Sequence, residues 1–184
     1  EDDEEAARTA ITTHKAGPND VVIGVAASGG TPYTCAALTC ARAAGSLTIG
    51  LSCSPNTRLL RDAELGLLIE TGPEVVAGST RMKAGTAQKV ALNMLSTALM
   101  IRLGHTWRGQ MVDMKIVNAK LVRRAHRMVQ QLTDCTEAEA NDALEKAEGS
   151  IKLAVLVCFG FAPEEGRALL KQHAGNLRTV LKNR

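Results

Sequence analysis

The fold class that the sequence predicts is α/β, with a parallel sheet flanked by helices and followed by a small all-helical domain. Short continuous runs of apolar residues, many of them β-branched, alternate with helical patterns over the first half of the chain. Such runs are typical of strands buried on both faces, and their alternation with helices gives right-handed crossovers. From residue 134 onward the sequence contains helical patterns only, which predicts a separate helical domain.

The first 69 residues contain three predicted strands and the helices that connect them. A polar helical pattern opens the chain, and turns rich in glycine and proline separate the later elements. Thr31 precedes Pro32 as an N-cap precedes the first helical residue, and Gly45 ends the helix that follows. The predicted elements are helices at 1–16, 33–44 and 58–63 and strands at 21–27, 47–53 and 65–69.

Helical periodicity dominates the rest of the chain. It predicts an apolar helix at 90–103, a basic amphipathic helix at 112–131 and three short helical segments in 134–184. Thr136 and Glu139 have the spacing of a capping box at the first of these segments. We therefore predict an α/β domain at 1–131 and a helical domain at 132–184, which is near the lower size limit for independent folding.

The composition argues against several functional classes. The 184-residue chain has one Trp, one Tyr and two Phe, too few for the aromatic platforms on which single-stranded nucleic acids stack. Its net charge of +3 does not indicate nucleic-acid binding, and no apolar run approaches the length of a membrane span. Five cysteines without a CxxC spacing indicate a reduced, cytoplasmic compartment. The four histidines lack the spacing of metal ligands, so we expect no metal site.

Two hydroxyl-rich loops, at residues 28–32 and 78–89, are the candidate ligand-binding segments. Both follow predicted strands or their extensions, and the carboxyl ends of parallel strands form the ligand-binding edge of such a sheet. Glycines permit close backbone approach, hydroxyls and cations donate to an anion, and a helix start adds unpaired N–H groups. The candidate binding residues are Ser28, Gly29, Thr31, Ser79, Thr80, Arg81 and Lys83.

The two loops favour a small phosphorylated ligand, such as a sugar phosphate, over a nucleotide. Neither loop has the Gly-Lys-Ser/Thr ending of the P-loop or the Gly-x-Gly-x-x-Gly dinucleotide fingerprint. Each loop by itself also fits an ordinary α/β connection or a capped, solvated helix start. Glu74 fits either a general base or a helix cap, and its position alone favours the cap.

Longer motifs connect the two loops and continue beyond them. They are Ala26-Ala27-Ser28-Gly29-x-Thr31-Pro32-Tyr33, Gly50-x-Ser52-Cys53, Gly72-Pro73-Glu74-Val75, the run from Gly78 to Lys89, Leu92-Asn93-Met94-Leu95-Ser96-Thr97 and Met111-Val112-Asp113. Together they closely resemble N-acetylmuramic acid 6-phosphate etherase, a bacterial family of the sugar isomerase (SIS) fold group. Glucokinase regulatory protein is a relative of that family. The likeness extends from Glu1 through the helical C-terminal region.

The resemblance implies a reaction on a phosphorylated amino sugar. The family cleaves the C3 lactyl ether of N-acetylmuramic acid 6-phosphate to N-acetylglucosamine 6-phosphate and D-lactate, in the recycling of a cell-wall sugar. A base removes the C2 proton of the open-chain sugar, an acid protonates the departing ether oxygen, and water then adds at C3. This acid–base chemistry needs paired carboxylates and no metal or redox cofactor. Family members also pair as homodimers.

The resemblance assigns a catalytic carboxylate to Glu1, at the end of the stretch that the family writes Glu-Gly-Ala-Glu-Asp. The family's second catalytic glutamate and a first phosphate-binding loop lie upstream of that stretch. We therefore expect the chain to be truncated at its N-terminus and inactive by itself. Gly30 stands where the family usually carries an arginine, which removes a guanidinium from the phosphate loop.

Two other functions share the predicted fold. A non-catalytic regulatory protein would bind a sugar phosphate in the same pocket and contact a partner through its helical part. An aldose–ketose isomerase would transfer a proton at C2 without releasing lactate. We expect the etherase reaction, and neither alternative calls for nucleic acid or a membrane as a partner.

Overall fold

The computed structural model describes residues 1–182, which fold into two units, the first from Glu1 to Met94 and the second from Leu95 onward. The sequence places the boundary at 131/132 instead, which lies inside the second unit. The reason is that the helix before that position packs against the helices after it, as described below. One helix, α4 (Lys83–Arg102), begins in the first unit and ends in the second.

The first unit contains a three-stranded parallel sheet, as predicted, and its strands lie in the order β1-β2-β3. In the register, Val21 of β1 pairs with Leu47 of β2, and Ile49 of β2 pairs with Leu65 of β3. Each strand is shorter than its apolar run in the sequence. The elements are α1 (Glu4–Thr13), β1 (Val21–Val25), α2 (Pro32–Ala43), β2 (Leu47–Ser52), α3 (Arg58–Asp62) and β3 (Leu65–Leu68).

Helices α2 and α3 approach the sheet closely because small residues face them. Leu38 of α2 and Leu59 of α3 are fully buried in a small core. A Cβ added at Gly24 of β1 would lie 2.9 Å from Leu38. A Cβ at Gly50 of β2 would collide with the Leu59 carbonyl oxygen. The glycines in these strands therefore set the distance between the helices and the sheet.

The edge strands are more exposed than the sequence predicts. Only β2 is buried along most of its length, whereas all four residues of β3 are exposed. Leu65 and Leu67, for example, retain 49% and 45% of their accessible surface. The expectation of strands buried on both faces is therefore wrong for β3, because this strand is an edge of the sheet that pairs with β2 alone.

The first helix is shorter than the predicted 1–16 at both ends. Its N-cap is Asp3, whose carboxylate accepts a hydrogen bond from the Ala6 N–H at 2.8 Å. At the other end Lys15 takes a positive φ of 53°, which an α-helix does not continue. Glu1 and Asp2 consequently precede the helix as non-helical chain.

The second unit contains a β-hairpin that the sequence pattern did not predict, followed by five helices within the described residues. The predicted helix 112–131 begins only at Ala119, where Asn118 caps it through the Leu121 N–H. The predicted three C-terminal segments are four helices, because Asn176 starts an additional one after Gly175. The elements are β4 (Thr106–Trp107), β5 (Gln110–Met111), α5 (Ala119–Thr133), α6 (Glu137–Lys146), α7 (Ile151–Cys158), α8 (Pro163–Gln172) and α9 (Leu177–Lys182).

Helix α7 is the centre of the core of the second unit. Its residues from Ile151 to Leu156 are all buried, and α5 and α6 both pack against it. This packing places the predicted boundary at 131/132 within one core. The predicted capping box at the start of α6 is confirmed, with Glu139 N–H donating to the Thr136 hydroxyl and the Thr136 N–H donating to Glu139. Trp107 of the hairpin packs edge-on against Phe159, with ring centroids 6.3 Å apart.

Helix α7 also buries a charge, the ammonium group of Lys152, whose side chain is only 8% exposed. Its Nζ donates to the Asp113 carboxylate at 2.6 Å, and His105 Nδ1 contacts the same oxygen. Partial burial raises the pKa of Asp113, but the hydrogen bonds from Lys152 and His105 together lower it below its usual value. Asp113 therefore keeps Lys152 paired in the core.

We expect Gly50→Ala to destabilise the first unit by about 1–3 kcal/mol, because the added methyl group would force the backbone of α3 away from β2. Urea unfolding followed by circular dichroism measures the change. Gly30→Ala is the matched control, since nothing lies within 4 Å of a Cβ at Gly30 and its φ is not positive. Equal stability of the two variants would contradict this account of the close approach.

We expect Asp113→Ala to destabilise the second unit by about 2–3 kcal/mol, because it leaves the buried Lys152 without a counter-charge. The change is smaller than for a fully buried pair because the Asp113 side chain is 39% exposed. Asp142→Ala is the control, since it breaks an ion pair of the same 2.6 Å length with Lys146 that lies on the surface. Its effect should stay within about 0.5 kcal/mol.

A double variant distinguishes two causes of the lost stability in Asp113→Ala, the unpaired charge of Lys152 and the loss of packing around the removed side chain. Lys152→Met in the Asp113→Ala background removes the unpaired ammonium and keeps an apolar chain of similar length. It should restore part of the lost stability in thermal unfolding. A double variant less stable than Asp113→Ala would show that the loss comes from packing instead.

Candidate functional site

The loop between β1 and α2 turns sharply at Gly29. This residue has a φ of +65°, and a Cβ there would collide with the hydroxyls of Ser52 and Thr57. Its N–H donates to the Ala26 carbonyl at 3.0 Å, which closes the turn. Only glycine satisfies both the backbone angle and the space. Gly29 is therefore buried at the base of the loop, whereas its neighbour Ser28 is exposed.

An open pocket with a volume of about 680 Å³ lies beside this loop. It joins the end of β1 and the start of α2 to the segment before α4 and the first turns of α4. Four of the residues that the sequence singles out line it: Glu1, Ser28, Thr31 and Thr80. The two hydroxyl-rich loops therefore meet at one edge of the sheet, as the order of strands and loops predicts.

Glu1 is held at the pocket by its own main chain. The Tyr33 N–H, in the first turn of α2, donates to the Glu1 carbonyl at 3.0 Å. This bond uses one of the N–H groups that a helix start leaves without an internal partner. Glu1 thus lines the same pocket as Ser28 and Thr31. A carboxylate beside neutral hydroxyl donors can remove a proton from a ligand that the hydroxyls hold.

The remaining predicted residues lie around the pocket without lining it. Gly29 is buried in the loop before α2. Ser79 and Arg81 belong to the turn before α4, and Lys83 is the first residue of that helix. The Lys83 ammonium donates to the Pro73 carbonyl at 2.8 Å. The structure thus brings Glu1, Ser28, Thr31 and Thr80 together at one pocket, which Ser79, Arg81 and Lys83 do not line.

Glu74 acts as the cap of α4, as its position predicts. Its carboxylate accepts hydrogen bonds from the N–H groups of Lys83 and Ala84, at 3.0 Å each. These backbone bonds lower the pKa of Glu74 below its usual value. These two N–H groups are therefore already bonded to Glu74. The sequence alone suggests instead that N–H groups at the start of this helix bind an anionic ligand.

Sequence reasoning missed several residues of the pocket wall. Gly85 and Gln88 are three positions apart on α4, so they share a face, and that spacing is the signal that could have identified them. The Gln88 side-chain nitrogen is buried and has no hydrogen-bond partner among residues 1–182. Tyr33 and Thr34, in the first turn of α2, also line the pocket. Within the same residues, no cluster of three or more His, Cys, Asp or Glu side chains could hold a metal ion.

Comparison with known families gives two matches that follow each other along the chain. The family described as SIS domain matches residues 6–98. The family described as the C-terminal lid domain of glucokinase regulatory protein matches residues 108–151. The first match covers the sheet and every pocket residue except Glu1, and the second covers strand β5 and helices α5 and α6.

Curated relatives match nearly the whole chain. An N-acetylmuramic acid 6-phosphate etherase of Rhizobium rhizogenes is 46% identical over 98% of this chain and 59% of its own length. One of Deinococcus radiodurans is 47% identical over 98% of this chain and 60% of its length. One of Erwinia tasmaniensis is 43% identical over the same shares. The chain thus spans about three fifths of the length of these relatives.

We expect the cap at Glu74 to make the start of α4 sensitive to pH. Because the folded-state pKa of Glu74 lies below its unfolded value, the stabilisation is present above the unfolded value of about 4.5. It is lost as the pH falls through the folded-state pKa. Hydrogen-exchange protection of the Lys83 and Ala84 amides, measured by NMR, should fall over that range.

The variant Glu74→Gln should lower the same protection at neutral pH, since an uncharged amide accepts more weakly from two N–H groups. Glu70→Gln, four residues earlier, changes the same charge and should leave both amides as they are. Protection that is independent of both pH and Glu74 would show that the cap contributes nothing to this helix start.

Proposed function

The chain belongs to the SIS domain family, and from that premise we propose that its activity is that of an N-acetylmuramic acid 6-phosphate etherase, a carbon–oxygen lyase. The observation that carries the proposal is the identity of 43–47% to curated etherases over 98% of the chain. The pocket at the carboxyl end of the sheet supports it, because a carboxylate and several hydroxyls line one cavity there. The proposed substrate is a phosphorylated amino sugar.

The proposed reaction is an elimination followed by a hydration. A base takes the C2 proton of the open-chain sugar, and the C3–O bond breaks while an acid protonates the ether oxygen. Lactate leaves, and a double bond joins C2 to C3. Water then adds with its oxygen at C3 and a proton at C2, which gives N-acetylglucosamine 6-phosphate. Each proton transfer calls for a carboxyl group within hydrogen-bond reach of the sugar.

Glu1 is the proposed base at C2. Its anchoring by the Tyr33 N–H supports this role, because a fixed main chain limits the positions that the carboxylate can reach. The hydroxyls of Ser28, Thr31 and Thr80 are the proposed donors to the phosphoryl oxygens, since they share the pocket with Glu1. The turn at Gly29 allows a ligand to come close to the backbone of that loop.

The proposed roles of Ser79, Arg81 and Lys83 in substrate binding rest on their position in the loop motif alone. Lys83 donates to the Pro73 carbonyl, and its own N–H donates to Glu74. Gly30 supplies no side chain where the family usually has an arginine. We therefore propose that neutral hydroxyls supply most of the phosphate contacts.

A homodimer and a cytoplasmic location are further parts of the proposal. Val90, Met94 and Leu99 on α4 expose 48%, 67% and 48% of their surface, which is the kind of apolar surface that a second copy would cover. No helix among residues 1–182 is long and apolar enough to cross a membrane. The absence of a CxxC spacing in the sequence agrees with a reduced compartment.

The alternatives of a regulatory protein and an isomerase gain no support from the curated relatives reported above, all three of which are named etherases. The match to the lid domain concerns residues 108–151, outside the proposed pocket.

The test is release of D-lactate from N-acetylmuramic acid 6-phosphate by the full-length gene product. We expect Glu1→Gln to reduce kcat by at least about 100-fold, the usual contribution of a positioned general base. The matched control is Glu5→Gln, which removes the same charge from an exposed position on α1 that pairs with Arg8. It should leave kcat unchanged.

Three results would contradict the proposal in different ways. Interconversion of an aldose and a ketose phosphate without lactate would favour the isomerase. Saturable binding without turnover would favour the regulatory protein. Full activity of Glu1→Gln alongside lactate release would keep the etherase and remove Glu1 from its mechanism.

A further inference from the structure

We propose that Cys135 and Cys158 form a dithiol site that reacts with small-molecule disulfides, such as oxidised glutathione, and closes to an internal disulfide. The site lies in the second unit, among residues that play no part in the proposed sugar pocket. The inference therefore does not depend on the etherase activity. It rests on the distance between the two sulfurs, on access to them and on the environment of each.

The two sulfur atoms are already in contact. Cys135 Sγ lies 3.7 Å from Cys158 Sγ. Cys135 sits in the short connection between α5 and α6, next to Asp134, which turns the chain with a φ of 54°. Cys158 is the last residue of α7. Because a disulfide needs about 2 Å between its sulfurs, small rotations of the two side chains at the ends of these elements are enough to form it.

A small reagent can reach the pair. Both cysteines are partly exposed and line a pocket of about 240 Å³. The polar wall of this pocket comes from α6, through Glu139, Asp142 and Lys146. The Lys146 ammonium is paired with Asp142 at 2.6 Å. An attacking reagent therefore meets the sulfurs in an open, polar cleft rather than in the apolar core behind α7.

The other three cysteines lack a neighbouring thiol partner of this kind in the described residues. Cys35 is fully buried in the first unit. The thiols of Cys40 and Cys53 contact the carbonyl oxygens of Arg8 and Ala84, at 4.0 Å and 3.8 Å. A disulfide reagent that reacts at Cys40 or Cys53 gives a stable mixed disulfide, because no second thiol is in contact with either sulfur. They serve as internal controls.

The environment assigns a different step to each thiol of the pair. Burial, followed by the hydrogen bond to Cys135, raises the pKa of Cys158 to about 11, while a hydrogen bond from Thr133 acts in the opposite direction. The Glu139 carboxylate on α6 also disfavours a thiolate at Cys158. Cys158 therefore stays protonated at neutral pH, which leaves Cys135 as the nucleophile that opens the reaction.

The exchange proceeds in two displacements. The Cys135 thiolate attacks one sulfur of oxidised glutathione, the reagent's S–S bond breaks, and a glutathione thiolate leaves. Cys158 then loses its proton and attacks the Cys135 sulfur, which forms the Cys135–Cys158 bond and expels the second glutathione thiolate. The two cysteines lose two electrons and two protons, and the reagent's disulfide gains both as two thiols. Closure ties the α5–α6 connection to the end of α7.

The experiment treats the reduced, full chain with oxidised glutathione, followed by alkylation and tryptic peptide mapping. Cleavage after Arg127, Lys146 and Lys152 separates the two cysteines onto different peptides. We expect a crosslinked pair of these peptides without attached glutathione. Because the second step needs the Cys158 thiolate and burial raises the pKa of that thiol, the rate of closure should rise with pH between 7 and 9.

Variants separate the two steps. Cys158→Ser should retain glutathione on Cys135, since the thiol that displaces it is gone. Cys53→Ser is the matched control in the first unit and should form the crosslink as the wild type does. Circular dichroism of the reduced variants shows whether each is folded. The wild-type result itself requires no substitution.

Two outcomes would overturn the proposal. One is the absence of the 135–158 crosslink at pH 9, whatever the other cysteines do. The other is wild-type protein that keeps glutathione on Cys135 to the same extent as Cys158→Ser. Either would show that the contact between the sulfurs does not lead to a bond.

Discussion

The turn at Gly29 is the constraint on which the rest of the first unit depends. After β1, the backbone at Gly29 passes so close to the hydroxyls of Ser52 and Thr57 that a Cβ would collide with them. Only a residue without a side chain can make that passage at a positive φ. The turn points Ser28 outward, starts α2 at Pro32, and so sets the N–H of Tyr33 where it binds Glu1. A single backbone requirement thus positions three separate parts of the pocket.

The two units obtain their stability in different ways. In the first, strand glycines bring α2 and α3 close to a narrow sheet, and the buried core is small. In the second, α7 is buried along most of its length and stacks against α5 and α6, with Trp107 and Phe159 at one side. The second unit can therefore bury Lys152 with a single carboxylate partner, because the packing around it fixes the position of Asp113.

Local patterns in the sequence predicted the parallel direction of the strands, the capping box at Thr136 and the meeting of the two loops, since each depends on short-range chemistry or on strand direction. They did not predict the start of α5 at Ala119, because the helical pattern continues through residues 112–118, which form the non-helical connection between the hairpin and α5. They also missed the exposure of β3, since an apolar run has the same composition at an edge as at the centre of a sheet. Contacts across the chain decide these features.

The charges around the pocket are unusual for the phosphate site that we propose there. No Lys or Arg among residues 1–182 lines it, whereas Glu1 does. Arg81 and Lys83, two cations of the loop motif, do not line the pocket. The Lys83 ammonium instead donates a hydrogen bond to the Pro73 carbonyl. The positive start of α4 faces Glu74 in the same way. A phosphate held here would depend on neutral hydroxyl donors, whose geometry matters more than their charge. For the proposed ligand, the shape of the Gly29 turn would therefore matter more than the number of nearby cations.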